Sequence, residues 1–375
     1  MSRTSNTIAW VSVCISFAVI ISAIAIVDGF KSEIRSKISD FMGSAVLVQP
    51  GQHPVNEEYP FSENLSYRSL IDSLPGVESV RAAAYRSGLV KTADNIEGLC
   101  FKGVDCGPDA DMNEIRISSA VARRLKLGEG DKLTVYFIGE DVKVRRFTIG
   151  SLFDSQLDEI DSKFAYVDIR QIRRLNAWKD DDASSLEIRF KDGANEDVLL
   201  RHIADIEAYM SKPSDAPLFV TSVRKYYAHL FDWLALLDLN VLMVIALMIA
   251  VAGFNMISAV LILLFEKISM IGLLKSLGMT SHEVGKVFRR RSAALAGKGL
   301  VVGNLIGTGL CLIQKYTHAI KLDAANYFVD HVPVSLDFWK ILLIDAAAFI
   351  LIMLIVSLSS LFISKVSPEK TLKVE

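Results

Sequence analysis

Four long apolar runs stand out along the chain, at 8–27, 239–265, 299–314 and 341–363. Their lengths are close to the ~20 residues that a helix needs to cross a bilayer. Asp345 is the one charged residue inside them. The pattern therefore predicts four transmembrane helices.

The first run permits two interpretations. Ala23-Ile24-Ala25 has the small-residue spelling of a signal-peptidase site, which would make the run a cleaved signal peptide. Beyond it, however, apolar residues continue at helical spacing, at Phe30, Ile34, Ile38 and Met42. We expect an uncleaved anchor whose helix extends past the membrane.

The polar region at 44–224 mixes strand and helix patterns without a regular βαβ rhythm, which predicts an α+β domain. A helix is predicted over 119–127, where Gly128 ends it, and Asn195 is a candidate N-cap of a second helix. Strands are predicted at 45–49, 87–92, 98–104, 115–117, 132–138, 142–152, 164–169 and 186–190.

The predicted architecture is thus a four-helix membrane protein with an α+β domain between helices one and two. The expected divisions are 1–43 (first span and extension), 44–224 (α+β domain), 225–265 (long helix with span two), 266–291 (loop), 292–314 (span three), 315–337 (short loop), 338–364 (span four) and 365–375 (tail).

Charge predicts the orientation. Between spans two and three lie seven basic residues against Glu266 and Glu283, so the positive-inside rule places this loop in the cytoplasm and the α+β domain outside. Hydrophobic residues make up 51% of the 375 residues, yet 22% are charged, as expected for spans joined to a water-exposed domain. The net charge of −2 provides no basic field for nucleic acid.

The loop between spans two and three has a helix–turn–helix pattern. Gly278 is suited to end a short helix in the left-handed conformation, and Thr280 with Glu283 has the spelling of a capping box. The expected apolar sides are Ile268, Ile271, Leu274 and Leu277 before the turn, and Val284, Val287 and Phe288 after it. On pattern alone, either an interfacial helix anchored by basic residues or a docking element fits.

Other candidate chemistry is sparse. Cys100 and Cys106 are either a disulfide or two unrelated thiols. Glycines at 299, 303, 307 and 309 indicate close helix packing or only the usual glycine content of membrane helices. Asp345 is expected to reach the membrane interface. His318 and His331 are too few for a metal site, and G-x-G-x-x-G, H-E-x-x-H and G-x-S-x-G are absent.

The stretch GFNMISAVLILLFEKISMIGLLKSLGMTSHEVGKVF resembles the signature of the permease family that includes the lipoprotein-releasing LolC and LolE proteins, the macrolide exporter MacB and the division protein FtsX. VDGFKSEIRSKI, NEIRISSAVARRLKLGEGDKLTVYF, RRFTIGSLFDSQLDEIDSKFAYVDI and the SPEKTLKVE ending are similar to Lol-type proteins as well. The resemblance covers nearly the whole chain.

The resemblance implies a MacB-like periplasmic domain, and a coupling helix at 272–278 that docks on a dimeric LolD-like cytoplasmic ATPase. It implies these ATPase-coupling residues: Glu266, Lys267, Ile271, Gly272, Leu274, Lys275, Leu277 and Gly278. A cargo cavity between spans one and two of facing subunits would be lined by Ile24, Phe30, Leu236 and Leu239. The implied partners are a second permease, a lipoprotein, a periplasmic carrier and membrane lipid.

ATP hydrolysis is expected in the partner ATPase, which would bind ATP and Mg²⁺. No cofactor is expected in this chain. Neither Gly285-Lys286 nor Gly297-Lys298 has the spacing of a P-loop. The expected function is a non-enzymatic subunit that drives lipoprotein release from the bacterial inner membrane by mechanotransmission. The alternatives are a MacB-type efflux or peptide-export permease, and FtsX-like signalling to a periplasmic hydrolase.

Overall fold

The first predicted span is the beginning of one continuous helix, α1, which runs over Ser2–Met42 in the computed structural model. The structure describes residues 2–92, 95–139 and 141–364. The predicted tail at 365–375 lies outside these residues, as do residues 93, 94 and 140 between predicted strands. The chain forms two units: 1–32, 232–322 and 331–375 make up the first, and 33–231 with 323–330 the second.

Eleven α-helices occur in the described residues. They are α1 (Ser2–Met42), α2 (Arg68–Asp72), α3 (Ser119–Leu125), α4 (Asp158–Asp161), α5 (Ile169–Asn176), α6 (Glu196–Met210), α7 (Ala228–Glu266), α8 (Ile268–Ser276), α9 (Ser281–Thr317), α10 (Ala324–Tyr327) and α11 (Phe338–Ser364).

The same residues contain eleven strands, all in the second unit. They are β1 (Ala45–Val48), β2 (Phe61–Ser62), β3 (Val77–Lys91), β4 (Ile96–Val104), β5 (Glu114–Ser118), β6 (Lys132–Phe137), β7 (Lys143–Phe153), β8 (Phe164–Asp168), β9 (Asp182–Ala183), β10 (Ser185–Phe190) and β11 (Phe219–Ser222). The predicted α+β mixture is confirmed.

Nine of these strands form one sheet in the order β11-β1-β10-β3-β4-β8-β5-β7-β6, and β6 also pairs with β3. This last pairing, at Leu89 with Tyr136 and Val90 with Val135, closes six strands into a barrel. Phe101, Phe137 and Phe147 pack inside the barrel core, together with apolar residues of α3 and α5.

The remaining strands, β11, β1 and β10, extend the sheet from the first half of β3. Their apolar residues, among them Leu47 and Ile188, form a second core with residues of α2 and α6. Asn195 caps α6 as predicted, because its side chain accepts a hydrogen bond from the N–H of Val198. Leu199 and Ile203 of this helix are buried.

Strand β3 begins ten residues before the predicted start at 87. Ala83, Ala84 and Tyr85 are consecutive and all buried, so this part of the strand lacks the alternation that a half-exposed strand shows. Sequence reasoning also missed α5, whose buried Ile172 and Leu175 flank Arg173 and Arg174.

Four helices are long and apolar enough to cross a membrane, as predicted, within α1, α7, α9 and α11. Helices α1 and α9 approach closely at three glycines. A Cβ on Gly299, Gly303 or Gly307 would lie 2.7, 2.5 or 2.9 Å from atoms of α1. These three glycines therefore serve close packing, whereas Gly309 has no atom within 4 Å of such a Cβ.

Asp345 packs between helices, since it is 4% exposed and accepts a hydrogen bond from Asn304 of α9. That it reaches the membrane interface stays a prediction. Of the two alternatives for Cys100 and Cys106, the structure has two unrelated thiols, since both are free. Cys100 lies partly buried on β4, while Cys106 is exposed beyond the end of that strand.

Candidate functional site

The candidate site is the loop that joins α7 to α9 and contains α8. Helix α7 ends at Glu266, and α8 follows after Lys267 alone. The backbone N–H of Lys267 still donates to the carbonyls of Leu263 and Leu264, each at 3.2 Å. Only Lys267 thus separates the two helices, which fixes where α8 begins.

The end of α8 is held by a Schellman motif at Gly278. The N–H of Gly278 donates to the Lys275 carbonyl and that of Met279 to the Leu274 carbonyl, both at 3.0 Å. Gly278 has φ of +98°, which a residue with a Cβ adopts only with strain. The predicted left-handed turn at Gly278 is confirmed.

The start of α9 is held by the predicted capping box. The N–H of Glu283 donates to the Thr280 hydroxyl at 3.3 Å, and the Thr280 N–H donates to the Glu283 carboxylate at 2.8 Å. Two of the backbone N–H groups at the helix start, which lack partners within the helix, are thereby satisfied. Helix α8 is therefore fixed at its end and followed at once by a fixed start of α9.

The inner side of this loop packs against the membrane helices. Ile271 of α8 is 4% exposed and shares an apolar cluster with Val284 and Phe288 of α9 and with Val260 of α7. Val287 was expected on the same apolar side, but it is 57% exposed because it faces away from this cluster.

The outer side of α8 is also apolar. Met270, Leu273 and Leu277 are 53%, 62% and 77% exposed, and their spacing of three and four residues places them on one helix face. We call these three residues the outer face of α8. Such a face beside exposed basic residues is suited to bind another protein.

The eight predicted coupling residues are distributed over both sides. Glu266, Lys267, Leu277 and Gly278 are exposed, Gly272, Leu274 and Lys275 are partly buried, and Ile271 is buried. Ile271 therefore supports the loop from inside and cannot present its side chain to a partner. Sequence reasoning missed Met270 and Leu273, although their spacing from Leu277 is the same helical signal that was used for the other side.

The four predicted cargo-cavity residues lie on α1 and α7. Leu236 and Leu239 are 60% and 50% exposed, and Phe30 is partly buried. Ile24 is 4% exposed because it packs among the membrane helices, so a single chain offers no cargo contact at this residue. At the same end of these helices, Lys31 of α1 pairs with Asp238 of α7, and Lys340 of α11 pairs with Asp28 of α1 at 2.5 Å.

Candidate metal ligands are sparse in the part of the chain that the structure describes. No group of three or more His, Cys, Asp or Glu side chains there is placed to hold a metal ion. The rings of His318 and His331 are stacked with centroids 3.9 Å apart. Two imidazoles alone do not complete the four ligands of a structural zinc site.

Comparisons with known proteins agree with this architecture. The sequence model of the MacB-like periplasmic core domain matches residues 7–206, and that of the FtsX-like permease C-terminal domain matches 242–368.

Individual relatives are distant but cover most of the chain. The lipoprotein-releasing system transmembrane protein LolC of Xylella fastidiosa is 20% identical over 97% of this chain and 92% of that protein. LolE of Haemophilus influenzae is 18% identical over 91% of this chain and 87% of that protein. The solved periplasmic region of MacB from Actinobacillus actinomycetemcomitans aligns with a TM-score of 0.33 and 11% identity, over 51% of this chain and 95% of that one. With its MacB-like periplasmic core domain and its FtsX-like permease domain, the chain belongs to the MacB/FtsX permease superfamily and is a multi-pass membrane protein of the LolC/LolE type.

Proposed function

We propose that this chain is the membrane subunit of an ABC transporter that releases lipoproteins from the bacterial inner membrane towards the outer membrane. The names of its relatives LolC and LolE describe a lipoprotein-releasing system, and the aligned regions cover more than nine-tenths of this chain. The chain provides the route for the lipoprotein and the helices that move during transport. Hydrolysis of ATP, with its Mg²⁺, takes place in a separate ATPase.

The outer face of α8 is the observation that supports this assignment most directly. Met270, Leu273 and Leu277 are exposed on a helix whose other side packs against the first unit, which we call the membrane unit. Because the Schellman motif and the capping box fix this helix, a force applied to its outer face passes into α7 and α9. The cytoplasmic ATPase docks on this face.

The long helices support mechanotransmission. Helix α1 has 41 residues and α7 has 39, each roughly twice what a bilayer crossing requires. Both helices are continuous in sequence with the second unit, which we call the outer domain. Helix α1 leads into the first strand of this domain, and α7 follows its last strand. Closure of the ATPases moves these helices, and the outer domain moves with them.

The cargo enters at the outer ends of α1 and α7, between this chain and a second permease, identical or homologous. Leu236 and Leu239 are exposed there and suit the acyl chains of a lipoprotein. The outer domain then passes the lipoprotein to a periplasmic carrier.

Purification of the complex with its ATPase, followed by reconstitution in liposomes that carry an acylated lipoprotein, tests this proposal. We expect release of the lipoprotein to a soluble acceptor upon addition of ATP and Mg²⁺, and none with a non-hydrolysable analogue. Depletion of the chain in cells is expected to leave lipoproteins in the inner membrane.

Two results would contradict lipoprotein release. Normal lipoprotein sorting combined with increased drug or peptide sensitivity after depletion would indicate an export permease instead. Copurification of a periplasmic hydrolase whose activity follows ATP addition, with no cargo moved, would indicate FtsX-like signalling.

A further inference from the structure

Lys102 of β4 is a charged residue at the centre of the outer domain. It is 1% exposed, and its ammonium lies 2.6 and 2.8 Å from the two carboxylate oxygens of Glu187 on β10. The hydroxyl of Tyr85 on β3 donates to the same carboxylate at 2.9 Å. Three strands of the sheet therefore meet at one buried ion pair.

The third partner of Lys102 is the end of α1. Its ammonium donates to the backbone carbonyl of Phe41 and lies 4.6 Å from the centroid of the Phe41 ring. The last carbonyls of a helix have no partner within the helix and carry its negative dipole end. Lys102 thus neutralises the end of α1 from inside the sheet.

The backbone next to this contact packs closely against β10. Gly43 has φ of +79°, and a Cβ there would lie 2.8 Å from the Ile188 carbonyl oxygen. The next residue, Ser44, donates its N–H to that same carbonyl at 2.8 Å. Strand β1 then begins at Ala45, so helix and strand are joined by two residues that are both held against β10.

Stability alone does not account for a buried ammonium at this place. Burial lowers the pKa of Lys102, and Glu187 opposes that shift, which shows that the ion pair offsets a desolvation cost. Buried ion pairs are commonly no more stable than apolar residues of the same size, and their best-attested role is to fix one register. Here the register that they fix is that of α1 against the sheet.

We propose that Lys102 is a positioning residue that locks the end of α1 to β4 and β10, so that movement of α1 turns the sheet rather than bending the junction. The inference rests on the proposed function, because it assigns the joint through which the work of the ATPase reaches the outer domain. Lys102 contacts no cargo and acts only through the Phe41 carbonyl and Glu187.

The test compares two double variants in the complete complex. Lys102→Met with Glu187→Gln removes both buried charges but keeps an acceptor for Tyr85. Arg124→Met with Glu97→Gln is the matched control, since this pair lies in the same domain, is 3.3 Å long and is partly exposed. Thermal unfolding, hydrogen exchange of the peptide spanning 39–48, and lipoprotein released per ATP hydrolysed are measured for each.

We expect the Lys102/Glu187 variant to fold, to exchange the Gly43 and Ser44 amides at least tenfold faster, and to release several-fold less lipoprotein per ATP. The control is expected to match the unmodified complex in all three. Insertion of two glycines between Gly43 and Ser44 replaces no buried side chain and is expected to give the same loss of coupling.

Unchanged release per ATP in the glycine insertion, or in a folded Lys102/Glu187 variant, overturns the inference. If the double variant does not fold, the insertion decides the matter alone. If the unmodified complex releases no lipoprotein, the proposed function fails, and this outcome differs from a variant that matches a working complex.

Discussion

Asn304 of α9 donates a side-chain hydrogen bond to the carboxylate of Asp345 on α11, inside the membrane unit. The pair links two helices where water is scarce, so neither group has an easy substitute partner. Replacing Asp345 by Leu leaves the Asn304 amide without its acceptor and is expected to lower the free energy of unfolding by ~1 kcal/mol.

A double-mutant cycle with Asn304→Leu measures this interaction in detergent-solubilised protein. The double variant is expected to recover part of the loss, because it leaves no unpaired polar group. Asn240→Leu, at an exposed position on α7, is the control and should change stability little. Strictly additive effects of the two single variants would show that the pair contributes nothing.

The glycines of α9 provide a second prediction with an internal control. Gly303→Ala places a Cβ 2.5 Å from the Cys14 carbonyl oxygen of α1, so the two helices must separate. We expect a loss of about 1–3 kcal/mol in stability. Gly309→Ala meets no atom within 4 Å and is expected to be neutral or to stabilise the helix by up to ~1 kcal/mol. The stability of both variants is measured by thermal unfolding. A Gly309→Ala variant less stable than Gly303→Ala would contradict the close packing of α9 against α1.

The outer face of α8 predicts which substitutions release the ATPase. Leu273→Asp introduces a charge in the middle of this face and is expected to reduce copurification of the ATPase at least tenfold. Ser269→Asp adds the same charge on an exposed residue of α8 outside the face, and copurification should persist. Retention of the ATPase by Leu273→Asp, with the protein folded, would place the docking surface elsewhere.

The two free thiols of the outer domain are expected to differ in reactivity. Burial, with a smaller effect of Glu57, raises the pKa of Cys100 to about 12. A raised pKa means less of the reactive thiolate, so only a small fraction of Cys100 is ionised at pH 8. Its labelling rate should therefore increase about tenfold per pH unit from pH 7 to 10.

Single-cysteine variants on a Cys14→Ala/Cys311→Ala background measure this with a maleimide probe. Cys106 is exposed beyond the end of β4 and should label faster than Cys100 at pH 8. Equal rates for the two thiols would contradict the burial of Cys100. In the variant that keeps both Cys100 and Cys106, labelling that becomes faster only after reduction would indicate a disulfide.

Local signals in the sequence predicted the loop well and its inner and outer sides poorly. Gly278 and the Thr280–Glu283 box are read from one or two turns of chain, and both occur as predicted. Helix α8 is apolar on nearly all sides, so periodicity could not tell whether Ile271 or Leu273 faces the membrane helices. Only the packing of α8 against Val284 and Phe288 decides this.

The pairing of strands distant in sequence could likewise not be predicted for the outer domain. Most strands were predicted within a few residues, because their alternation is local. The barrel, however, depends on β3 pairing with β6 and on the parallel pairing of β5 with β7. Lys102 gave no signal either, since a lysine in a strand is ordinarily exposed and its burial depends on Glu187, 85 residues later.

The position of β1 has a consequence for how the protein is made. β1 leaves α1 at Ala45, yet its two neighbours are β10 and β11, at Ser185–Phe190 and Phe219–Ser222. The barrel strands all lie between Val77 and Asp168 and can assemble as soon as that stretch has crossed the membrane. We therefore expect synthesis of the chain to reach the start of α7 before α1 is secured, so that folding of the outer domain and insertion of the second span are completed together.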